Sequence, residues 1–237
     1  MRQNLESKQF SDRYKASSFN AYNFKLPRRY DHSIAVKVFR VSVMDDFVLD
    51  ELGDEIGRVN ILDVGCATGR LLDSIAEKGG VRLAGFDLAP KIVDVARSKL
   101  AHRGVDVELK CADAEDSLPW PSHRFDVVTM TGVLHHFFNP HAALKEVIRV
   151  LRPGGRLIMV DPCFFTPMRE FFNLCLRVHP HAGDYYFYTP QQTKALLSAM
   201  GWREIRCERL NWCFFGIVAV TGGTMSGNHY TDSSCDG

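Results

Sequence analysis

The feature that most restricts this chain is an alternation of short apolar runs with amphipathic stretches between residues 59 and 161. The runs VNILDV (59–64), RLAGFD (82–87), DVELKC (106–111), FDVVTM (125–130) and RLIMVD (156–161) read as strands. The stretches between them have helical spacing. One, GRLLDSIAEKGG, stops at Gly79-Gly80. A second begins at Pro90, carries Ile92, Val93, Ala96 and Leu100 on one face, and meets Gly104 as its stop. A third is capped by Asn139, begins at Pro140, presents Leu144, Val147, Ile148 and Leu151, and is ended by Arg152-Pro153-Gly154-Gly155. Continuously apolar strands joined through helices require a parallel sheet covered on both faces. Right-handed crossovers then restrict the topology to a doubly wound, Rossmann-like α/β form. Ligands in such sheets sit beyond the carboxyl ends of the strands.

The flanks complete the architecture. Residues 1–33 are polar with interleaved aromatics, and apolar positions Ile34, Val38, Val41, Met44, Val48 and Leu52 mark an amphipathic helix, so residues 1–55 read as a helical cap. The main domain is expected over 56–222. Thr189-Pro190-Gln191-Gln192 has the form of a capping box. The runs WREIRCERL and CFFGIVAVT follow, separated by Asn211-Trp212. Only a hairpin joins strands through so short a connection, so the last strand should be antiparallel. Residues 223–237 are rich in Gly, Ser and Asp and read as a disordered tail.

Composition excludes several classes. With 29 basic and 28 acidic residues the net charge is +1, which leaves no electrostatic footprint for a nucleic-acid backbone. The basic cluster Lys25, Arg28 and Arg29 reads as a solvated patch. The seven cysteines are odd in number and lack CxxC spacing, which argues against disulfides or zinc and for a reducing, cytoplasmic setting. His179-Pro-His181 has no third ligand nearby and reads as a loop, so no metal is expected. No stretch approaches the length of a membrane span.

Chemistry concentrates at strand ends. In Ile61-Leu62-Asp63-Val64-Gly65-Cys66-Ala67-Thr68-Gly69-Arg70 a strand ends, glycines turn the chain and a helix begins. Gly65 permits a sharp turn and close approach of a ligand, and Gly69 opens a helix whose N–H groups face that ligand. A dinucleotide fingerprint would need G-x-G-x-x-G, whereas the spacing here is G-x-x-x-G with Asp63 at the strand end. A carboxylate repels a pyrophosphate and attracts a sulfonium or α-ammonium group. Asp87, which closes the second strand 24 residues later, suits the two hydroxyls of a ribose and also suits a helix cap. Asp113, in CADAE after the third strand, suits an adenine amino group and also suits a turn.

Taken in order, these segments resemble the class I S-adenosylmethionine (SAM)-dependent methyltransferases, most closely the small-molecule branch with the ubiquinone and menaquinone enzymes. ILDVGCATG is similar to motif I, the Asp87 strand end to motif II and CADAEDSLPW to motif III. FDVVTMTGVLHHF and LKEVIRVLRPGGRLIMVDP are similar to the segments around strands four and five. The resemblance runs from about Val59 to Pro162 and loosely to Val220. It implies a seven-stranded sheet, mostly parallel with the last strand antiparallel, with SAM as cofactor and S-adenosylhomocysteine (SAH) as product. By it, Asp63, Gly65 and Gly69 would hold the methionine end, with Cys66 and Ala67 among the cofactor-binding residues. Asp87 would hold the ribose, Leu88 would pack on adenine, Asp113 and Ala114 would meet its edge, and Thr131 and Leu134 would line the pocket.

Methyl transfer asks an enzyme mainly to align donor and acceptor, with a base where the acceptor must lose a proton. His135 and His136, just past strand four, are the candidate catalytic residues. Pro162-Cys163 resembles the nucleophile of RNA cytosine methyltransferases, but it follows strand five and reads as an ordinary buried cysteine. Residues 162–188 hold eight aromatics, among them Phe164, Phe171, Tyr185 and Phe187, and read as a lid over the sheet edge. Tyr14, Tyr22 and Tyr30 are candidates to close over the cofactor. The expectation is a small, partly hydrophobic or aromatic acceptor, in a monomer or homodimer. The competing readings are a SAM-fold binding protein without catalysis and a methyltransferase acting on RNA or protein.

Overall fold

The computed structural model describes residues 15–16, 19–20, 42–79, 82–178 and 184–222, with backbone only at 177–178. Tyr14, Tyr22, Tyr30, Lys25, Arg28, Arg29, His179, His181, residues 223–237 and the first half of the expected N-terminal helix, with Ile34, Val38 and Val41, lie outside the described residues.

The element order is α1 (Ser42–Leu52), β1 (Ile61–Val64), α2 (Arg70–Glu77), β2 (Leu83–Asp87), α3 (Pro90–His102), β3 (Val107–Cys111) and β4 (Phe125–Thr131), followed by α4 (Pro140–Val150), β5 (Leu151–Pro162), α5 (Thr166–Val178), α6 (Pro190–Ala199), β6 (Arg203–Arg209) and β7 (Phe214–Val220). The seven strands form one sheet in the order β3-β2-β1-β4-β5-β7-β6. β7 runs antiparallel to both β5 and β6, while the pairs from β3 to β5 are parallel. This is the doubly wound sheet with a reversed last strand. Strand order turns back between β1 and β4, so the switch-point crevice opens where Val64 and Thr131 end.

Local chemistry sets the element ends. Asn139 accepts the Ala142 N–H at 3.2 Å, with Pro140 at the first helical position. Thr189 and Gln192 form the reciprocal capping box. Gly104, at φ +70°, follows α3 and lets the Val105 N–H reach the Leu100 carbonyl at 2.9 Å. In the β6–β7 turn the Asn211 side chain accepts the N–H groups of Cys213 and Phe214.

One boundary differs from the sequence reading. The helix stops at Val150 with Leu151 as its C-cap, its N–H given to Val147 O, and the stretch Leu151 to Gly155 already belongs to β5 rather than lying between helix and strand. Leu151 pairs with Phe125, and pairing resumes with the register shifted by three residues, at Arg156 with Val127. The intervening carbonyls find a tertiary partner in Thr221, whose Oγ1 donates to Arg152 O at 3.0 Å and whose N–H donates to Gly155 O at 2.9 Å.

Buried residues pack on both sheet faces. One layer joins Phe86, Trp120, Phe125, Leu144, Val147, Leu197 and Phe215; the other joins α1 and α2 through Val48, Leu52, Leu72 and Ile75 to Ile61, Val127 and Ile158. Met44, Val48 and Leu52 are buried as their spacing predicts. Phe47 is buried too, because β7 offers a glycine beneath it: a Cβ at Gly216 would lie 2.6–2.8 Å from three ring carbons of Phe47. Gly216→Ala is therefore expected to lower stability by about 1–3 kcal/mol through overpacking. A chemical-denaturation midpoint equal to wild type would refute that contact.

Candidate functional site

At the carboxyl edge of the sheet lies a cavity of about 280 Å³. Its wall is drawn from the ends of four adjacent strands: Asp63 to Thr68 after β1, Phe86 to Leu88 after β2, Ala112 to Glu115 after β3, and Thr131 to Val133 with His135 to Phe137 after β4. Lys15, Met44, Arg70, Leu71, Asp184 and Phe214 complete it.

The glycine turn shapes the floor. Gly65 has φ +68°, and a Cβ there would stand 2.7 Å from a methyl of Val133, itself a wall residue. Only glycine allows the β1 and β4 edges to close together at this point. Gly69 and Leu134 are absent from the lining. Gly69 serves packing instead: a Cβ would meet Leu100 at 3.0 Å and Ala96 at 3.3 Å on α3. Its N–H is already given to Cys66 O at 2.8 Å. Leu134 is fully buried in the core beneath.

The acids are tied down before any ligand arrives. Asp63 is buried, and its carboxylate accepts the Thr129 hydroxyl at 2.7 Å. Burial, with the nearby Asp87 charge adding to it, pushes the Asp63 carboxyl up to about 7 against the pull of that hydroxyl. The Asp87 oxygens accept the N–H groups of Ala89 at 3.0 Å and Ala67 at 3.1 Å. Asp87 thus bridges the β1 and β2 turns rather than capping α3, whose cap position is Ala89. Burial raises its carboxyl as well, against those backbone donors. Asp113 accepts the Glu115 N–H at 2.9 Å and the Lys15 ammonium at 2.7 Å. Lys15 also lies 3.2 Å from Glu115. Burial opposes the charge on Lys15, but the two carboxylates outweigh it and raise its pKa.

On the other side, His135 and His136 occupy a short 3-10 turn, Leu134–His136. His135 is buried, and its Nδ1 lies 3.0 Å from Asp161 Oδ1, at the end of β5. Burial disfavours the imidazolium, yet Asp161 and Asp184 prevail and raise the His135 pKa. Asp184 Oδ1 stands 3.7 Å from His135 Nε2 and 3.4 Å from His136 Nδ1. The Phe187 ring stacks on His135 at 5.2 Å, and Asn173 pins the Phe187 backbone by accepting its N–H at 2.8 Å and donating to its carbonyl at 3.1 Å. The Tyr185 and Tyr186 N–H groups both donate to the His135 carbonyl.

The aromatics of residues 162–188 take a different place from the one expected. Phe164, Phe172 and Phe187 pack on one another behind His135, while Phe165 and Phe171 are 58% and 62% exposed. None of the eight belongs to the cavity wall, to which this segment contributes Asp184. Cys163 is buried outside the wall, and burial pushes its thiol up, as befits a packed cysteine. Sequence reasoning missed Lys15, Arg70, Asp161 and Asp184. Arg70 pairs with the buried Asp45 of α1. The signal for Arg70 was in plain view, directly after the glycine turn. The others arrive from distant segments.

A family profile described as a methyltransferase domain matches residues 62–159. The demethylmenaquinone methyltransferase of Thermus thermophilus is 33% identical over 185 residues, covering 69% of this chain and 81% of that protein. A ubiquinone biosynthesis O-methyltransferase of Xanthomonas euvesicatoria is 35% identical over 153 residues; this covers 62% of the chain, which spans 64% of that relative. Among solved structures, a SAM-dependent methyltransferase from Aquifex aeolicus superposes with a TM-score of 0.57 at 22% identity, over 77% of this chain and 97% of the other, and so shares the fold. Among the described residues, no helix is long and apolar enough to cross a membrane.

Proposed function

Because this chain belongs to the SAM-dependent methyltransferases, we infer that it methylates a small, partly hydrophobic aromatic acceptor of the phenol or hydroquinone type, bound against His135 and His136. The observation that carries this reading is the meeting of Asp63, Asp87 and Asp113 on one wall and both histidines on the other wall of a single cavity. The names of the two curated relatives, both quinone-pathway methyltransferases, point to the same acceptor class. In this reading residues 1–55 cap the domain, and residues 162–188 close the acceptor side.

The residues present fit the donor on two grounds. The Gly65 turn closes against Val133 with no room for a Cβ, which sets bare backbone in the cavity wall where a ligand can approach closely. Above it, Asp63 is a buried carboxylate whose side-chain partner is one hydroxyl, and a cation there offsets its desolvation. SAM brings a sulfonium-borne methyl group already reactive toward nucleophiles. Asp63 holds the ammonium of its methionine end, beside Gly65, Cys66 and Ala67. Asp87, a carboxylate with about four lone-pair sites, can accept the ribose hydroxyls beside its backbone donors Ala67, Leu88 and Ala89. Leu88, Asp113 and Ala114 frame the base, and Thr131 borders the path to the acceptor. His135, oriented by Asp161 and Phe187, stands beside the acceptor's hydroxyl and assists the loss of its proton.

The raised Asp63 pKa gives a pH test. Its folded-state value, about 7, exceeds the ordinary 3.8. The stabilisation linked to its proton is therefore complete below about pH 4 and is lost as pH rises through about 7. Binding of a cation requires the ionised form and so has the opposite sense. SAM affinity should climb by up to about tenfold per pH unit toward pH 7 and level off above it. A flat profile from calorimetry between pH 5.5 and 8, values spanning about one unit either side of that pKa, would remove Asp63 from contact with the ammonium.

The acceptor reading is tested by methyl transfer from isotopically labelled SAM to a panel of phenols and hydroquinones. Labelled product with at least one of them is expected. Tight SAM binding with no transfer to any of the panel, but with transfer to RNA or protein, would overturn it.

A further inference from the structure

His135, His136 and Asp184 do more than border the acceptor. Each offers one ligand atom, and the three atoms lie within 4.8 Å of one another. From these positions we propose that the three side chains bind a divalent transition-metal ion of the zinc type at the acceptor end of the cavity, where an oxygen of the acceptor completes its coordination. The proposal rests on the reading of the adjoining strand ends as the methyl-donor site.

Spacing carries the argument first. Asp184 Oδ1 is 3.4 Å from His136 Nδ1 and 3.7 Å from His135 Nε2. Both separations exceed the usual N–H···O range of about 2.7–3.2 Å. They match ligand atoms arranged around a common centre. Metal–ligand bonds of about 2.0–2.2 Å at tetrahedral angles leave donor atoms about 3.4 Å apart.

Support behind the ligands comes second. A metal-binding histidine characteristically gives its other ring N–H to a carboxylate, which fixes the tautomer and strengthens the donor nitrogen. His135 has that arrangement: Nδ1 lies 3.0 Å from the fully buried Asp161, and Nε2, the ligand atom once a metal replaces its proton, lies 3.7 Å from Asp184. Phe187 stacked on one side and the His136 ring 4.1 Å away hold the imidazole in place. The backbone that delivers Asp184 is tied to the same histidine, through the Tyr185 and Tyr186 N–H groups on the His135 carbonyl. Ligands and supports therefore form one rigid unit.

Donor type and access come third. Two imidazoles and one carboxylate suit zinc and its first-row neighbours, whereas magnesium and calcium prefer all-oxygen sets. All three side chains line the cavity, which leaves the remaining coordination position open to a ligand inside it. An acceptor hydroxyl there would lose its proton to water. Its oxygen would then bond to the methyl carbon as the carbon–sulfur bond breaks, leaving that electron pair on sulfur. The expectation of no metal came from inspecting His179 and His181 along one loop; this cluster is assembled from residues 48 positions apart.

Titrating the full chain with Co²⁺ tests the site without turnover. The expected result is one equivalent of cobalt with visible d–d absorption, displaced by Zn²⁺. His136→Ala and Asp184→Asn, both at half-buried positions, should abolish that spectrum. Asp161→Asn should weaken cobalt binding by about 10- to 100-fold. SAH affinity, measured on the same samples, reports folding and the donor site. Absence of a stoichiometric cobalt spectrum, or a spectrum that survives both His136→Ala and Asp184→Asn, overturns the proposal. Cobalt binding as described in a protein that does not bind SAH would instead sink the donor reading and leave the metal site standing.

Discussion

His135→Ala is expected to cut turnover by about 10²- to 10⁴-fold, the usual worth of assisted proton removal from an acceptor, while SAH affinity changes little. The separation of the two effects is the diagnostic part. His135 faces the acceptor side of the cavity, with Asp161 behind it and Phe187 stacked on it. The carboxylates assigned to the donor extend from the ends of β1, β2 and β3, on the opposite wall. A protein that merely binds SAM would show no turnover to lose, and an enzyme that only aligns its substrates would keep most of its rate. The check is kcat at saturating donor and acceptor, beside calorimetry with SAH. Undiminished activity on the true acceptor would remove His135 from the chemistry.

Asp87→Ala carries the largest expected effect on binding. Loss of hydrogen bonds to a charged group costs about 1.5–3 kcal/mol, equivalent to a rise in Kd for SAM of about 10- to 150-fold. The Ala67 and Ala89 N–H groups would lose their side-chain acceptor as well, so both turns that shape the cavity should loosen. Asp87→Asn separates the contributions: it preserves size and one acceptor oxygen while removing the charge. An unchanged Kd in a folded Asp87→Ala protein would refute the ribose role.

The sheet was readable because each strand announces itself locally. Short apolar runs, glycine stops and proline starts are short-range signals, and they survive folding almost unaltered. The three acids were readable for a related reason: sheet order follows from the crossover rule, and the crossover rule places successive strand ends side by side. What failed was information held in three dimensions. The pairing of His135 with Asp161 spans 26 residues, and that of Lys15 with Asp113 spans 98. Nothing in either neighbourhood marks the partner. Gly69 looked like a ligand residue because the turn contains two glycines, yet one of them faces α3. The start of β5 was misread because the Arg152-Pro153-Gly154-Gly155 stretch ends helices by its own preference, and its partner Thr221 comes from beyond β7. The aromatics after β5 show the limit of composition. Their abundance signalled an apolar enclosure, but packing directed them behind the histidine.

Crowding Asp63 and Asp87 around one hollow, with Lys15 already answering Asp113 and Glu115, has a consequence for the proposed catalytic cycle. Donor and product differ chiefly by one positive charge at sulfur. Mutual repulsion among the acids rewards whichever nucleoside arrives charged, and transfer of the methyl group removes that reward at the moment of reaction. The same field that recruits the reagent thus loosens its hold on the spent thioether, so release follows from the chemistry itself without a separate trigger.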